Sequence, residues 1–472
     1  MVMAMGPAKG QAATLQIGMV CVDELVPADD RLRRIDGVVD WEFVRGEAAR
    51  YYAQEVGRPS IDPIVLVKLM LVGAMEGIGS MRELLRVAGL RVDIRRFLGY
   101  GLHERLPVHQ TISHAQTRRF VDANLFERLF LRSVALCCEH GLIDGTHLSV
   151  DGFHVEANAA LASLRASLTP VEDEQAREGA GAPAGANEDD GDGRGEDPGV
   201  GAETSRPQLR LVEPRMGSTP KRKSSNATSA SRSDPDAKLR HKPGQRPHLV
   251  HRGQVAVDPK ARCVVACLGE QADGHEGDAL VPIIERARFA VPKLESVGTD
   301  QGYAAERVWN AVGALGVLAY VPPQRTMLPA PGEEPKTSAQ AAAKAARERC
   351  KTPAGVWSYV QRMGDAEGVV GELKRQHGLD RARSRGTPLL HVQLLFGCTA
   401  LNLKRIAAQI GRAASGAAAG PRTAKVDAAE SGEAASGTPG SVTWRRIDHA
   451  LAHGLPSYQL AVPVWMIALS LN

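Results

Sequence analysis

Tyr359–Gly386 reads YVQRMGDAEGVVGELKRQHGLDRARSRG, a stretch in which acids, cations and helical spacing coincide. Glu367 and Lys374 lie seven residues apart, two helical turns, so both leave one face of a helix. Val370 and Leu373 give that helix a surface to pack with, while Lys374, Arg375, Arg381, Arg383 and Arg385 form a dense basic run. Two readings fit these residues. One is a solvated helix whose Glu and Lys pairs contribute roughly 0.2–0.5 kcal/mol each. The other is a catalytic helix lying beside bound phosphate. The rest of the chain decides between them, and with them the fold.

At 472 residues and 43% hydrophobic content, the chain is long enough for two or three domains and at least one substantial core. Its net charge of +4 says little about nucleic acid, but the charge is segregated. Residues 171–200 carry ten acids against two arginines, a net of −8, and residues 201–245 carry ten cations against four acids, a net of +6. Opposed blocks of this kind favour a solvated, disordered segment. The seven cysteines form neither a disulfide framework nor zinc-ligand spacing. No secretory leader and no apolar run near the roughly 18 residues of a membrane span is present, so the expectation is a cytoplasmic protein.

Taken in order, residues 1–39 form a partly disordered leader and residues 40–140 a helical domain. Ser60-Ile61-Asp62-Pro63 predicts a helix start with Pro in the first turn. Gly77-Ile78-Gly79-Ser80 breaks that helix, and Ser80 with Glu83 predicts a capping box on the next. A turn is expected at Gly89, followed by the basic segment Arg91–Arg96, and His109–His114 begins a further helix toward Arg118 and Arg119. Helices across a Gly-containing turn suit either a DNA-binding helix-turn-helix or an all-helical scaffold with solvated arginines. Residues 161–232 lose hydrophobic periodicity and read as a disordered charged insertion. Residues 411–443 are low in complexity, and 444–472 form a C-terminal segment.

Between these lies a mixed α/β layout. Leu148, Val150 and Phe153 predict a short buried strand carrying Asp151, which is costly there unless paired or metal-bound; the alternative is an Asx-turn before Gly152. His248–Val257 and Ala261–Leu268 predict a hairpin across Asp258-Pro259-Lys260. An amphipathic helix over Asp278–Ala290 follows, then a strand ending at Asp300, a helix over Ala304–Leu315 and a strand over Gly316–Val321. Residues 324–355 read as a polar excursion, and Leu389–Ile410 as a closing helix.

Four blocks carry a resemblance: VDGFHVEANAA at 150–160, SDPDAKLRHKPG at 233–244, GTDQGY at 298–303, and AEGVVGELKRQHGLDRARSRG at 366–386 with LNLKR at 401–405. The chain resembles the DDE transposases of bacterial insertion sequences, and GRPSIDPIVLVKLMLVGAMEGIGSMREL resembles the leading domain of that family. The resemblance implies an RNase H-like mixed-sheet core over 141–160 and 233–410, preceded by the all-helical, candidate DNA-binding domain. It implies DNA transposition: an endonuclease that cuts at the terminal inverted repeats of a mobile element and transfers the strand into target DNA. Double-stranded DNA is then the partner, the protein works as a homo-oligomer on it, and the cell's nucleoid is its place.

Carried over residue by residue, the three acids fall on Asp151, Asp300 and Glu367. They would hold Mg²⁺ or Mn²⁺, as two ions, since hard oxygen donors suit these cations and two metals serve both oxygens of a phosphodiester displacement. The family's Tyr-Arg-Glu-Lys signature falls on Tyr359, Arg362, Glu367 and Lys374, with four residues rather than the usual three between Arg362 and Glu367. Lys374, Arg362, Arg381, Arg383, Arg385 and Tyr359 are assigned to DNA phosphate. Glu372 is the rival third acid, on a different helix face from Glu367. The competing functions are a metal-dependent nuclease without strand transfer and a catalytically silent DNA-binding derivative.

Overall fold

The computed structural model describes residues 21–49, 61–112, 124–166, 226, 229–241, 244 and 246–414. The charged insertion, apart from its ends and Asn226, the low-complexity segment and the C-terminal segment lie outside these residues, as do Arg118 and Arg119.

Helices come first. α1 (Val22–Leu25), α2 (Arg31–Val38) and α3 (Glu42–Ala48) precede α4 (Pro63–Met75), whose first turn follows the Asp62–Pro63 signal: the Asp62 carboxylate accepts the Ile64 N–H at 2.8 Å. α5 (Met81–Leu90) starts at Ser80, whose hydroxyl accepts the Glu83 N–H at 3.4 Å. The reciprocal half of the capping box is not made, because the Glu83 carboxylate turns to Arg86 at 2.6 Å. Gly89 does not form a turn either. It is part of α5, and the chain bends instead at Arg91 into α6 (Val92–Leu98). Residues 109–112 are helical, as expected, and α7 (Asn124–Glu139) leads into the sheet.

β1 (His147–Glu156) is a ten-residue strand, longer than the short strand expected, and it settles Asp151 as a strand residue. β2 (Leu164–Ala166) and β3 (Ser229–Ser231) then pair antiparallel, so the two ends of the insertion are joined as a small ribbon. β4 (Lys238–Arg240), β5 (His248–Asp258) and β6 (Cys263–Gln271) are antiparallel neighbours, and β5 pairs antiparallel with β1. α8 (Leu280–Ala290) crosses to β7 (Ser296–Gly298), and α9 (Glu306–Ala314) to β8 (Leu318–Tyr320). β7 pairs parallel with β1 and β8 parallel with β7. The sheet is therefore mixed, ordered β6-β5-β1-β7-β8, with β4 continuing the β6 edge along the first residues of β5.

The interval expected to be irregular contains α10 (Ser338–Lys351), capped by the Thr337 hydroxyl on the Gln340 N–H at 3.2 Å. Its sequence, SAQAAAKAARERCK, has little hydrophobic periodicity but high intrinsic helix propensity, and Ala343 and Ala346 are its buried face. α11 (Pro353–His377) carries the opening stretch, begins with Pro353 after Thr352 and ends at Gly378. α12 (Thr387–Ala414) closes the fold and packs on α2, α4, α7 and β6. One hydrophobic core runs from Leu32 and Leu66 through Leu148 and Val255 to Leu394 and Ile406.

Candidate active site

The site is built where α11 crosses β1 and β7. Gly298 is the reason the helix can come so close, because a Cβ there would collide with the Ser358 hydroxyl. Ser358 also lies 3.3 Å from Nε2 of His147, whose Nδ1 is 2.9 Å from the Ser296 hydroxyl. Burial pushes His147 down to about 4, so near neutrality it is an uncharged strut tying β1, β7 and α11 together. A second tie joins Arg262, in the β5–β6 turn, to Asp365 on α11 at 2.7 Å.

Two of the acids of the sequence reading, Asp300 and Glu367, act electrostatically on the third, Asp151. Asp151 is on β1 in register with Val255, where β7 no longer covers the strand. Asp300 follows β7, and its carboxylate accepts the Gly302 N–H at 2.9 Å, which fixes the turn. Glu367 is half-exposed on α11 and pairs with the buried Arg362 at 3.3 Å. Burial raises the Asp151 carboxyl to about 6; Arg362 opposes that shift, and Asp300 and Glu367 add to it. Among the described residues no three His, Cys, Asp or Glu side chains are gathered tightly enough to grip one ion. The donor chemistry nevertheless fits a hard divalent cation. A desolvated carboxylate whose proton affinity is raised by two neighbouring acids is a group that gains from a cation beside it.

Behind Asp151 lies a polar network that the sequence reading did not find. Gln254 is the register partner of Gly152 and accepts the hydroxyl proton of the fully buried Tyr303. Gln254 in turn donates to Glu270 at 2.9 Å, Glu270 accepts from Arg252 at 3.2 Å, and Arg252 donates to the Gly274 carbonyl at 2.9 Å. Asp151 and Asp300 both add to the burial that raises the Tyr303 hydroxyl above its ordinary range, which sets the network against both acids. The available signal was Arg252 and Gln254 inside the buried part of a predicted strand.

The basic residues divide. Tyr359 is exposed and stacks under Arg362 at 5.9 Å, and Lys374 lies 5.5 Å over the Phe153 ring. Arg381 and Arg385 are exposed, and the intervening backbone runs beside β1, with the Ala382 N–H donated to the Glu156 carbonyl at 2.7 Å. Arg383 departs from the expected phosphate role. Its guanidinium turns inward to the Gly73 carbonyl at 3.4 Å, at a joint where Gly77 lets the α4–α5 turn approach Gln376 and His377 reaches the Ala74 carbonyl at 3.0 Å. Glu372 is likewise committed elsewhere. His377 and then Arg405 hold its carboxyl down at about 2, so it is a bridge to α12. The Arg91–Arg96 segment is internal too: Arg91 pairs with Asp93 and Glu76, Arg95 donates to the Gly89 and Gly101 carbonyls, and Arg96 pairs with Asp23 at 2.6 Å.

The remaining blocks of the resemblance prove to be clamps. Asp234, fully buried, binds His251 at 2.9 Å and accepts the Gly386 N–H, while Asp236 accepts the Thr387 N–H at 2.9 Å. The two acids thereby cap α12. Asn402, in the LNLKR block, exchanges both amide bonds with Val264 on β6 at 2.9 Å.

Comparison with known families gives two matches. Residues 20–118 match the family described as Transposase domain (DUF772), and residues 333–407 match Transposase DDE domain. The two matches support an insertion-sequence DDE transposase. The first match spans the N-terminal helices of this transposase, and the second spans α10, α11 and most of α12, with Glu367 and Lys374 inside it and Asp151 and Asp300 outside. No curated protein and no solved structure gave a significant match. The transposase is an enzyme of a family that acts on DNA and uses divalent metal, and none of its described helices is long and apolar enough to cross a membrane.

Proposed function

We propose that this transposase cuts DNA at the terminal inverted repeats of its element and joins the freed strand to target DNA, in an RNase H-like core formed by the mixed sheet and α11. The observation that carries the reading is Asp151 on β1, a carboxyl that burial raises to about 6 and whose charge neighbours include Arg362, Asp300 and Glu367. The strand order β6-β5-β1-β7-β8, with two parallel strands following three antiparallel ones, supports the core assignment.

Asp151, Asp300 and Glu367 would hold Mg²⁺ or Mn²⁺, as two ions. Bound there, divalent metal supplies Lewis-acid stabilisation of the scissile phosphate and lowers the pKa of an attacking water. The chain's own residues do the rest. Asp151 enters as a carboxylate once it loses its proton near pH 6. Glu367 must leave Arg362 to turn toward Asp151, and a DNA phosphate is the anion that Arg362 would take in exchange. Lys374, Arg381, Arg385 and Tyr359 would hold the strand in place. Arg383 is withdrawn from that group because its guanidinium already serves the Gly73 carbonyl. With Arg91, Arg95 and Arg96 engaged internally, DNA contacts are proposed on the α11 side of the molecule rather than on α5 and α6.

The test is cleavage and joining of a duplex carrying the terminal repeat, with Mg²⁺ and with Mn²⁺. Wild-type protein is expected to give both products and Asp300→Ala neither. Full activity in Asp300→Ala sinks the site. Free ends without joined products point to a nuclease, and specific binding without cleavage under either metal points to a silent DNA-binding derivative.

A further inference from the structure

The pairing of β1 with β7 stops at Ser149 and Gly298, two residues short of Asp151 and of Asp300. That ladder therefore does not itself set how far apart the two acids stand. Gly152 follows Asp151 on β1, and strand alternation turns it to the face opposite the Asp151 carboxylate. A Cβ at Gly152 would meet Gln254 Oε1 at 3.0 Å and the Tyr303 hydroxyl at 3.1 Å. Two fully buried polar side chains thus press on the β1 main chain from behind Asp151, in the room that the glycine leaves.

The two come from opposite sides of the gap. Gln254 is the register partner of Gly152 on β5. Tyr303 ends the single turn Gln301–Tyr303 that Asp300 caps: the Asp300 carboxylate accepts the Gly302 N–H at 2.9 Å, and the Asp300 carbonyl accepts the Tyr303 N–H at 3.4 Å. From that turn the Tyr303 ring reaches the β1–β5 pair and donates its hydroxyl proton to Gln254. The hydroxyl lies on the axis about which the ring turns, so the reach of the side chain beyond Cβ is fixed. Both ends are held. Gln254 gives its Nε2–H to Glu270 at 2.9 Å, and Glu270 is held by Arg252 at 3.2 Å. At the other end Gly277 packs against the Tyr303 main chain, where a Cβ would lie 2.6 Å from the Tyr303 carbonyl oxygen.

We propose that Tyr303 is a positioning residue for the catalytic acids, a strut whose hydroxyl, bonded to Gln254 behind Gly152, sets the Asp300 turn at a fixed distance from Asp151. This role rests on the reading of Asp151 and Asp300 as holders of divalent metal, and it names the residue that spaces them. Carboxylates that share a cation bind it best when their separation is set beforehand, and groups standing behind the ligands supply that order.

The experiment measures Mn²⁺ binding to the full chain without DNA by calorimetry, with cleavage of the terminal-repeat duplex as a second readout. Tyr303→Phe keeps the ring and removes only the bond to Gln254. It is expected to weaken Mn²⁺ binding roughly tenfold, and to lower kcat while KM for the duplex is unchanged. Gln254→Leu should give a similar loss, and the double variant no more than the larger single loss, because both changes remove one bond. Near-UV circular dichroism checks that each variant is folded, and Gln254→Met replaces Gln254→Leu if that variant is not. Wild-type Mn²⁺ affinity in folded Tyr303→Phe overturns the strut, as does a lowered melting temperature with Mn²⁺ affinity and kcat unchanged, or losses that add in the double variant. If wild-type protein binds no Mn²⁺, or Asp300→Ala binds it as tightly as wild type, the acid-site reading fails and the strut with it. If Asp300→Ala loses the ion while Tyr303→Phe keeps it, the strut alone fails.

Discussion

Glu367 and Glu372 sit five residues apart on one helix and have opposite fates. Glu367 is half-exposed and paired, among the described residues, only with Arg362, whereas Glu372 is bound to His377 and Arg405. Glu372 ionises near 2 when folded, against 4.5 for the ordinary group. A depressed folded value means that its stabilising contribution is fully present above about pH 4.5 and is lost as pH falls toward 2. Glu372→Gln should therefore lower stability by about 1–3 kcal/mol at pH 7, and the gap to wild type should close on acidification. Urea unfolding at a series of pH values checks this, and a gap independent of pH counts against the bridge. The placement of Asp151 in a strand and of Asp300 after one was legible from strand and turn patterns, whereas Glu367 was picked out by the family blocks alone. Arg383 was not legible: spacing makes it one more cation in a basic run, and only the glycine-lined approach of the α4–α5 turn shows that it points inward.

At the scale of elements, strong local signals carried through and weak ones did not. Asp62–Pro63, the hairpin at Asp258 and the alternation around Asp151 each state a local geometry, and each element formed there. α10 was missed because its buried face is alanine, which hydrophobic periodicity does not register. The ribbon of β2 and β3 was missed because three-residue strands flank a long polar insertion, so their pairing is non-local. The contact of α11 with β7 was equally hidden, since nothing in GTDQGY announces that Gly298 must make room for Ser358. Gly298→Ala should lift α11 off the sheet at about 1–3 kcal/mol, and adding Ser358→Ala should recover part of that loss. Thermal unfolding of the two single variants and the double variant gives the coupling. Strictly additive losses would mean that the helix does not pack on Gly298 in the way described.

The whole molecule is tied together by α12. Its buried residues face α4 and α7 on one side and β6 on the other, with Phe396 against Phe126 at 4.9 Å between ring centres and Asn402 bridging Val264 and Ser133. The joint at the end of α11 adds His377 on Ala74 and Arg383 on Gly73. Composition shifts suggested a helical domain beside a catalytic one, yet a boundary of that kind requires few contacts across it, and here the core is continuous. A fragment starting at residue 141 would leave Leu394, Phe396 and Leu403 without their helical partners, at about 1.5–3 kcal/mol for each large side chain. Summed over a few residues, that matches the entire stability of an ordinary domain. The fragment should therefore lack near-UV circular dichroism and a cooperative melt, while the full chain unfolds in one transition. A fragment with native-like packing and its own sharp melt would show that the sheet folds without α2, α4 and α7. In the single-core case, a load on α11 would pass directly to the N-terminal helices, because the α4–α5 turn rests on the end of α11 only a turn beyond Lys374.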